Sequence, residues 1–139
     1  MSSYASDLEY RPLSEPCDVD AFNCGVNDID KWFRKRAADQ HKSHVCKVTT
    51  AHLPGVERPV GFYAISLILE EDRLLAKQDP LRARLRSRVY PALHLEYLAV
   101  DKEFTGGGIG SNMLIRAIET FRVAVMDMGL PVFTAGPIE

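Results

Sequence analysis

The sequence predicts an α/β fold, a central sheet with helices on its faces. Three features point to it. Short alternating or β-branched runs at 8–13, 45–53, 60–69, 93–100 and from 131 onward read as strands. Two stretches, 28–37 and 112–128, repeat apolar residues at three- and four-residue steps and read as amphipathic helices. The strand at 93–100 passes through a glycine turn into the second of those helices.

In chain order, residues 1–7 read as a loose end, and the strand at 8–13 stops at Pro12 and the Ser14-Glu15-Pro16 turn. Asn27 suits a helix N-cap, with Asp28 and Asp30 at the positive end of the dipole. Ile29, Trp32, Phe33 and Ala37 form the inward face of that helix, and Lys31, Arg34, Lys35 and Lys42 fall mostly on the other side. Runs 45–53 and 60–69 flank a turn at 54–59 and form a hairpin. Residues 70–88 have two readings. A helix over 73–78 would be interrupted by Pro80, with Pro91 bounding the segment. Arg82, Arg84, Arg86 and Arg88 share one face if extended and scatter if helical. The helix at 112–128 carries a broad stripe of Met113, Leu114, Ala117, Ile118, Phe121, Val125 and Met128, and Gly129 is placed to cap its end.

Bulk properties narrow the function. A chain of 139 residues is expected to form one domain, 1–139, and to bury about two-thirds of its unfolded surface. It holds no apolar run of membrane-spanning length and no signal-peptide pattern at its start, so a cytoplasmic location is expected. Cys17, Cys24 and Cys46 are odd in number and irregularly spaced, which suits a reducing compartment rather than a disulfide framework. His41-x-x-His44-x-Cys46 has no second ligand pair at matching spacing, so no metal is expected. A net charge of −2 gives no global attraction to nucleic acid. Basic residues cluster locally, however, at 31–47 and at 82–88, which suits a partner that is anionic over a limited area.

The turn itself, Thr105-Gly106-Gly107-Gly108-Ile109-Gly110-Ser111, sits before a helix start at Asn112. Glycines bring backbone N–H groups close to a ligand, and the helix end favours an anion, so a phosphate-bearing cofactor is expected there. A nucleotide P-loop would need Lys-Ser or Lys-Thr where Ser111-Asn112 stands, and a dinucleotide fingerprint would need a glycine at Ser111. The stretch resembles instead the coenzyme A signature of GCN5-related N-acetyltransferases, Q/R-x-x-G-x-G/A, with Gly108 and Gly110 at its glycines and Leu98-Ala99-Val100-Asp101 like that family's fourth strand. The resemblance implies a mixed, mostly antiparallel sheet flanked by helices and lacking the usual last helix and strands. It implies acetyl-CoA as cofactor, with pantetheine on the backbone of Leu98, Ala99 and Val100. The diphosphate would lie on the N–H groups of Thr105, Gly106, Gly107, Gly108, Ile109, Gly110, Ser111 and Asn112. Thr105 at the Q/R position and Gly107 depart from the signature and predict a weaker grip.

Within that superfamily, Phe22-x-Cys24-Gly25-Val26 with Ile29-Asp30-x-Trp32-Phe33, then Val60-Gly61-Phe62-Tyr63-Ala64-Ile65-Ser66, resembles the acetyltransferase toxins of toxin–antitoxin modules. Those acetylate the α-amine of aminoacyl-tRNA and block translation. The resemblance implies a homodimer, a ribbon-helix-helix antitoxin and a tRNA partner held by Arg34, Lys35, Arg36, Arg86 and Arg88. Glu96 matches the fourth-strand carboxylate that serves relatives as general base. Pairing with an arginine or facing solvent is the plainer reading of Glu96, and packing is that of Tyr63 and Tyr97. No tyrosine follows Tyr97, whereas relatives carry one as general acid in a later helix. A truncated frame, a degenerate member and a sheet completed by a partner chain all stay open. The alternatives are a non-catalytic module that binds CoA or a partner, and an acetyltransferase of small amines or protein lysines.

Overall fold

In the computed structural model, residues 4–71, 73, 75–84, 88–129 and 132–135 are described. Five strands form one sheet in sequential order: β1 (Glu9–Pro12), β2 (Lys47–His52), β3 (Gly61–Glu71), β4 (Val89–Val100) and β5 (Val132–Ala135). The first four are antiparallel neighbours, and β5 joins β4 in parallel. Helices α1 (Asn27–Lys35) and α2 (Ala37–Lys42) cover one face, the short α3 (Pro80–Arg84) follows β3, and α4 (Ile109–Met128) covers the other face. This is the mixed, mostly antiparallel sheet expected.

Each face has its own core. Under α1 and α2, Phe33 stacks on Phe62 with ring centroids 4.0 Å apart, and Phe22 meets both rings edge-on. Trp32 stacks on Tyr97 of β4 at 4.2 Å. Under α4, Ile109, Met113 and Ala117 pack on Ala51, Tyr63, Ile65 and Leu95. The two sets come from alternate positions of the same strands, as period-two side chains require.

Several elements depart from the sequence reading. Asn27 is the first helical residue rather than the cap; Val26 takes the cap position without a side-chain bond. The end is secured instead by buried Asp30, whose carboxylate accepts the Cys24 N–H at 2.9 Å. Among the described residues of 73–78 there is no α-helix. Pro80 starts α3 rather than interrupting a helix, and Asp79 accepts the Leu81 N–H at 2.9 Å. The first helical turn needs no proline N–H, so it is where a proline fits best. Pro91 lies inside β4, opposite Leu69, because β3 and β4 extend together as a long hairpin. Helix α4 begins at Ile109, three residues earlier than expected, and ends at Gly129 as expected. Much of its apolar stripe is exposed: Ile118 is 49% and Met128 68% exposed.

Candidate active site

The site begins at the last described β4–β5 pairs, here called the fork. The described pairing runs from Ala92↔Val132 to Leu95↔Ala135, and among the described residues no strand pairs that edge of 96–100. Leu98, Ala99 and Val100 are paired to β3 on their other side, and no described residue pairs with them on the β5 side. At the fork the β3–β4 register slips. Ala64 faces Tyr97 but Ile65 faces Leu95, so Glu96 is an extra residue on β4, a β-bulge. The slip turns Glu96 and Tyr97 toward the same face, that of α1 and α2. Among the described residues Glu96 forms no ion pair with an arginine; it is half-buried and accepts the Ser66 hydroxyl at 2.9 Å.

β4 ends in a corner fixed by Asp101, whose side chain is 2% exposed. Its carboxylate accepts the Asn23 N–H at 3.1 Å, the Glu103 N–H at 3.0 Å and the Arg58 guanidinium at 3.1 Å. Burial pushes this carboxyl upward, but the Arg58 bond and the two N–H groups outweigh it and hold the pKa below the usual carboxylate value. From this corner the glycine loop turns into α4. Gly106 and Gly108 have φ of +84° and +85°, and Gly108 takes the N-cap position. Among the described residues, no protein acceptor takes the N–H groups of Gly106, Gly107, Gly108, Ile109, Gly110 or Ser111. A Cβ on Gly110 would meet Val100 only at ordinary contact distance, 3.5 Å. This cluster of free donors at a helix N-terminus fits a diphosphate. Asn112 falls outside it: its N–H bonds to the Gly108 carbonyl at 3.0 Å, and its side chain accepts the Tyr10 hydroxyl. The Thr105 hydroxyl turns back onto the Lys102 carbonyl.

Gly107 is needed for another reason. A Cβ there would lie 2.0 Å from the Tyr4 ring, and the Tyr4 N–H donates to the Gly107 carbonyl at 3.0 Å. Tyr4 also meets Phe104 edge-on. The N-terminal segment thus forms the back of the loop.

On the α1–α2 side a cleft of about 670 Å³ opens above the Trp32–Tyr97 stack, lined by Lys31, Lys35, Arg36, Asp28 and Asp39. Arg34 borders a different cleft with Asp20, Asp30 and Lys102. Arg88 is exposed before β4, and Arg86 lies outside the described residues. The helix therefore brings Lys35 and Arg36 together and separates them from Arg34. Tyr63 is 4% exposed and packs under α4 near Arg116. Burial, reinforced by the charge of Glu96, pushes the Cys46 thiol up to about 11, and burial also raises Cys17 and Cys24. None is an activated thiolate. His41 uses Nδ1 to accept the Val48 N–H.

Sequence reasoning missed Ser66, His94 and Thr134 around the fork. His94 bonds through Nδ1 to the Thr134 hydroxyl at 2.6 Å. A lone histidine in an apolar strand carries no signal of such a role; the alignment of β5 on β4 supplies it.

No protein-family model matches the chain. The chain is 31% identical over 131 residues to the tRNA-acetylating toxin of Mycobacterium tuberculosis (strain ATCC 25618 / H37Rv), covering 94% of this chain and 74% of that protein. It is 25% identical over 125 residues to the probable toxin TacT of Sinorhizobium fredii (strain NBRC 101917 / NGR234), covering 86% and 68%. Among solved structures, a tyrosine-to-phenylalanine mutant of KacT matches with a TM-score of 0.80 at 19% identity, over 92% of this chain and 77% of that one. AtaT complexed with acetyl-methionyl-tRNAfMet matches at 0.80 and 18%, over 96% and 80%. A mutant AtaT bound to the C-terminus of the antitoxin AtaR and acetyl-CoA matches at 0.74 and 19%, over 96% and 78%. These likenesses establish the fold, and the mycobacterial relative establishes the family. The chain belongs to the tRNA-acetylating toxins, acetyltransferases of the GCN5-related superfamily.

Proposed function

We propose that this chain transfers the acetyl group of acetyl-CoA to the α-amine of an aminoacyl-tRNA and so acts as the toxin of a toxin–antitoxin module. The observation that carries the reading is the run of chain from the β4 edge that no described strand pairs into the glycine loop with its unshared N–H groups, which suits an extended cofactor with a diphosphate at one end. One domain, 1–139, carries the residues of this site. Residues Leu98, Ala99 and Val100 receive the pantetheine arm, and Gly106 to Ser111 receive the diphosphate. Acetyl-CoA supplies the acetyl group already activated as a thioester. A backbone N–H at the fork faces the thioester oxygen, where charge builds during attack. Glu96 takes part in deprotonating the incoming amine. Lys31, Lys35 and Arg36 hold phosphates of the acceptor end, which leads the aminoacyl group over Tyr97 to the fork. Arg34 and Arg88 contact the tRNA farther away. A cytoplasmic homodimer held by a ribbon-helix-helix antitoxin, and translation blocked by loss of usable aminoacyl-tRNA, complete the reading.

Calorimetry with acetyl-CoA, followed by thiol release on a panel of aminoacyl-tRNAs, tests it. Binding followed by acetylation of at least one aminoacyl-tRNA is expected. The Lys35→Glu/Arg36→Glu variant is expected to lose affinity for that tRNA, and the slope of log K against log salt should fall by about 2. A rate indifferent to both charge reversals would point instead to a small amine or a protein lysine. Binding without transfer to any acceptor would leave a CoA-binding module.

A further inference from the structure

The polar groups at the fork form a set that the glycine loop and the basic cleft do not account for. His94 sits one register step inside the last β4–β5 pair, opposite Ser66 on β3 and Thr134 on β5. Its side chain projects to the α1–α2 face, because Leu93 and Leu95 on either side belong to the core under α4. Ser66 lies between it and Glu96: it is paired in register with His94 and bonded to the Glu96 carboxylate. His94 is 4% exposed, and its Nε2 is buried with no hydrogen-bond partner among the described residues. A buried polar nitrogen without a partner is costly to keep, so such groups in native proteins ask for an explanation. The imidazole is also fixed, since its Nδ1 bond to Thr134 leaves Nε2 aimed one way.

Resting on the acetyl transfer proposed above, we infer that His94 is a second proton acceptor at the fork, beside Glu96, for the ammonium group of the incoming aminoacyl ester. Thr134 accepts from Nδ1–H, which leaves the Nε2 lone pair free. The ammonium gives one proton to Nε2. The neutral nitrogen then bonds to the acetyl carbon as the carbon–sulfur bond breaks, and sulfur leaves with the electron pair. Of the two N–H protons left on nitrogen, one stays in the product amide and the other passes to Glu96. The leaving sulfur takes a proton back from the imidazolium, so His94 ends neutral, and Glu96 returns its proton to solvent. Two acceptors match the two protons that an ammonium must lose to become an amide. Among the described residues, the titratable groups around this face are Glu96 and Tyr90 on β4, Glu70 opposite Tyr90 on β3, Cys46 ahead of β2, and His41, His44 and Lys47, which line one cavity with Cys46 and Ser66; Tyr97, next to Glu96, also feels Arg36 and Asp28. β5 contributes only the uncharged Thr134.

His94→Asn keeps a group near Nδ1 for Thr134 and removes Nε2. Relative to the wild type at pH 6.5, it is expected to lower kcat on the responsive aminoacyl-tRNA about a hundredfold. KM for that tRNA and the calorimetric acetyl-CoA affinity should change less than about twofold. At pH 8.5, above the α-amine pKa of about 7.7–8.0, the acceptor is already neutral and the defect should shrink to about fivefold. Thr134→Val, which frees the ring to turn, should lower kcat about tenfold. Nitrogen-15 NMR of the free protein gives a readout without turnover: the neutral imidazole should carry its proton on Nδ1. A defect of equal size at both pH values, an unchanged kcat, or a neutral ring protonated at Nε2 overturns the inference alone. A wild type that acetylates no aminoacyl-tRNA overturns the functional reading, and this inference with it.

Discussion

Gly108→Val is expected to weaken acetyl-CoA binding several hundredfold, measured by calorimetry, while far-UV dichroism stays that of the folded protein. Gly108 holds a φ of +85° with nothing within 4 Å of a Cβ, so the obstacle is backbone conformation rather than space. A β-branched residue is strained in that region by about 1–3 kcal/mol, and the loop relaxes by rotating the peptide. That rotation takes the Gly108 and Ile109 N–H groups away from the diphosphate. A hydrogen bond to a charged group contributes about 1.5–3 kcal/mol, so losing two without full replacement accounts for the factor. Gly110→Ala is the control. Its Cβ meets Val100 at ordinary contact distance, so binding should stay within about threefold. Equal losses for both variants would mean that the loop does not hold the diphosphate.

Asp101→Ala is expected to cost about 3 kcal/mol of folding stability at pH 7, measured by urea unfolding. The buried carboxylate serves two backbone N–H groups and Arg58, and its removal strands the two N–H groups and leaves Arg58 only its exposed bond to Glu103. The sign of the pH dependence follows from the lowered pKa. A carboxylate depressed in the folded state stabilises fully above its unfolded value, about 3.9, and loses that contribution as pH falls through the folded value. Wild type and variant should therefore differ by the full amount at neutral pH and draw together only as pH falls below the ordinary carboxylate value, through the lowered folded one. A gap that does not narrow at all as pH falls below the ordinary carboxylate value would assign the loss to packing instead. Acetyl-CoA affinity should fall as well, because the same carboxylate fixes the corner from which the glycine loop departs.

The parts of the fold that were legible in the sequence are those whose cause is local. Trp32 and Phe33 near the end of α1 and Ala37 at the start of α2 are buried together, although the one helix expected over 28–37 breaks at Arg36, and Gly129 ends α4 because its backbone can turn left-handed. The glycine loop was legible because Gly106 and Gly108 take positive φ, which glycine adopts without strain. What was not legible depends on neighbours distant in sequence. The bulge at Glu96 leaves no trace in the alternating run 93–100, since it exists only as a slip against β3. The role of Gly107 is set by Tyr4, about a hundred residues away in the chain. Helix α4 starts early because Ile109 is drawn into the core beside Met113, overriding the two glycines that flank it. Pro80 read as a breaker because a proline that opens a helix and one that interrupts it differ only in where the helix begins. The separation of Arg34 from Lys35 and Arg36 is a matter of helical angle, which a cluster of basic residues in a sequence does not display.

The packing of Tyr4 against the glycine loop has a practical side. Anything that pulls the first residues away, such as a fused affinity handle, an adjoining carrier protein or a protease nick, loosens the peptides that are to grip the phosphates. Preparations carrying a leader on that end should bind acetyl-CoA more weakly than ones released from it, and a low activity measured on the former would say more about the handle than about the enzyme.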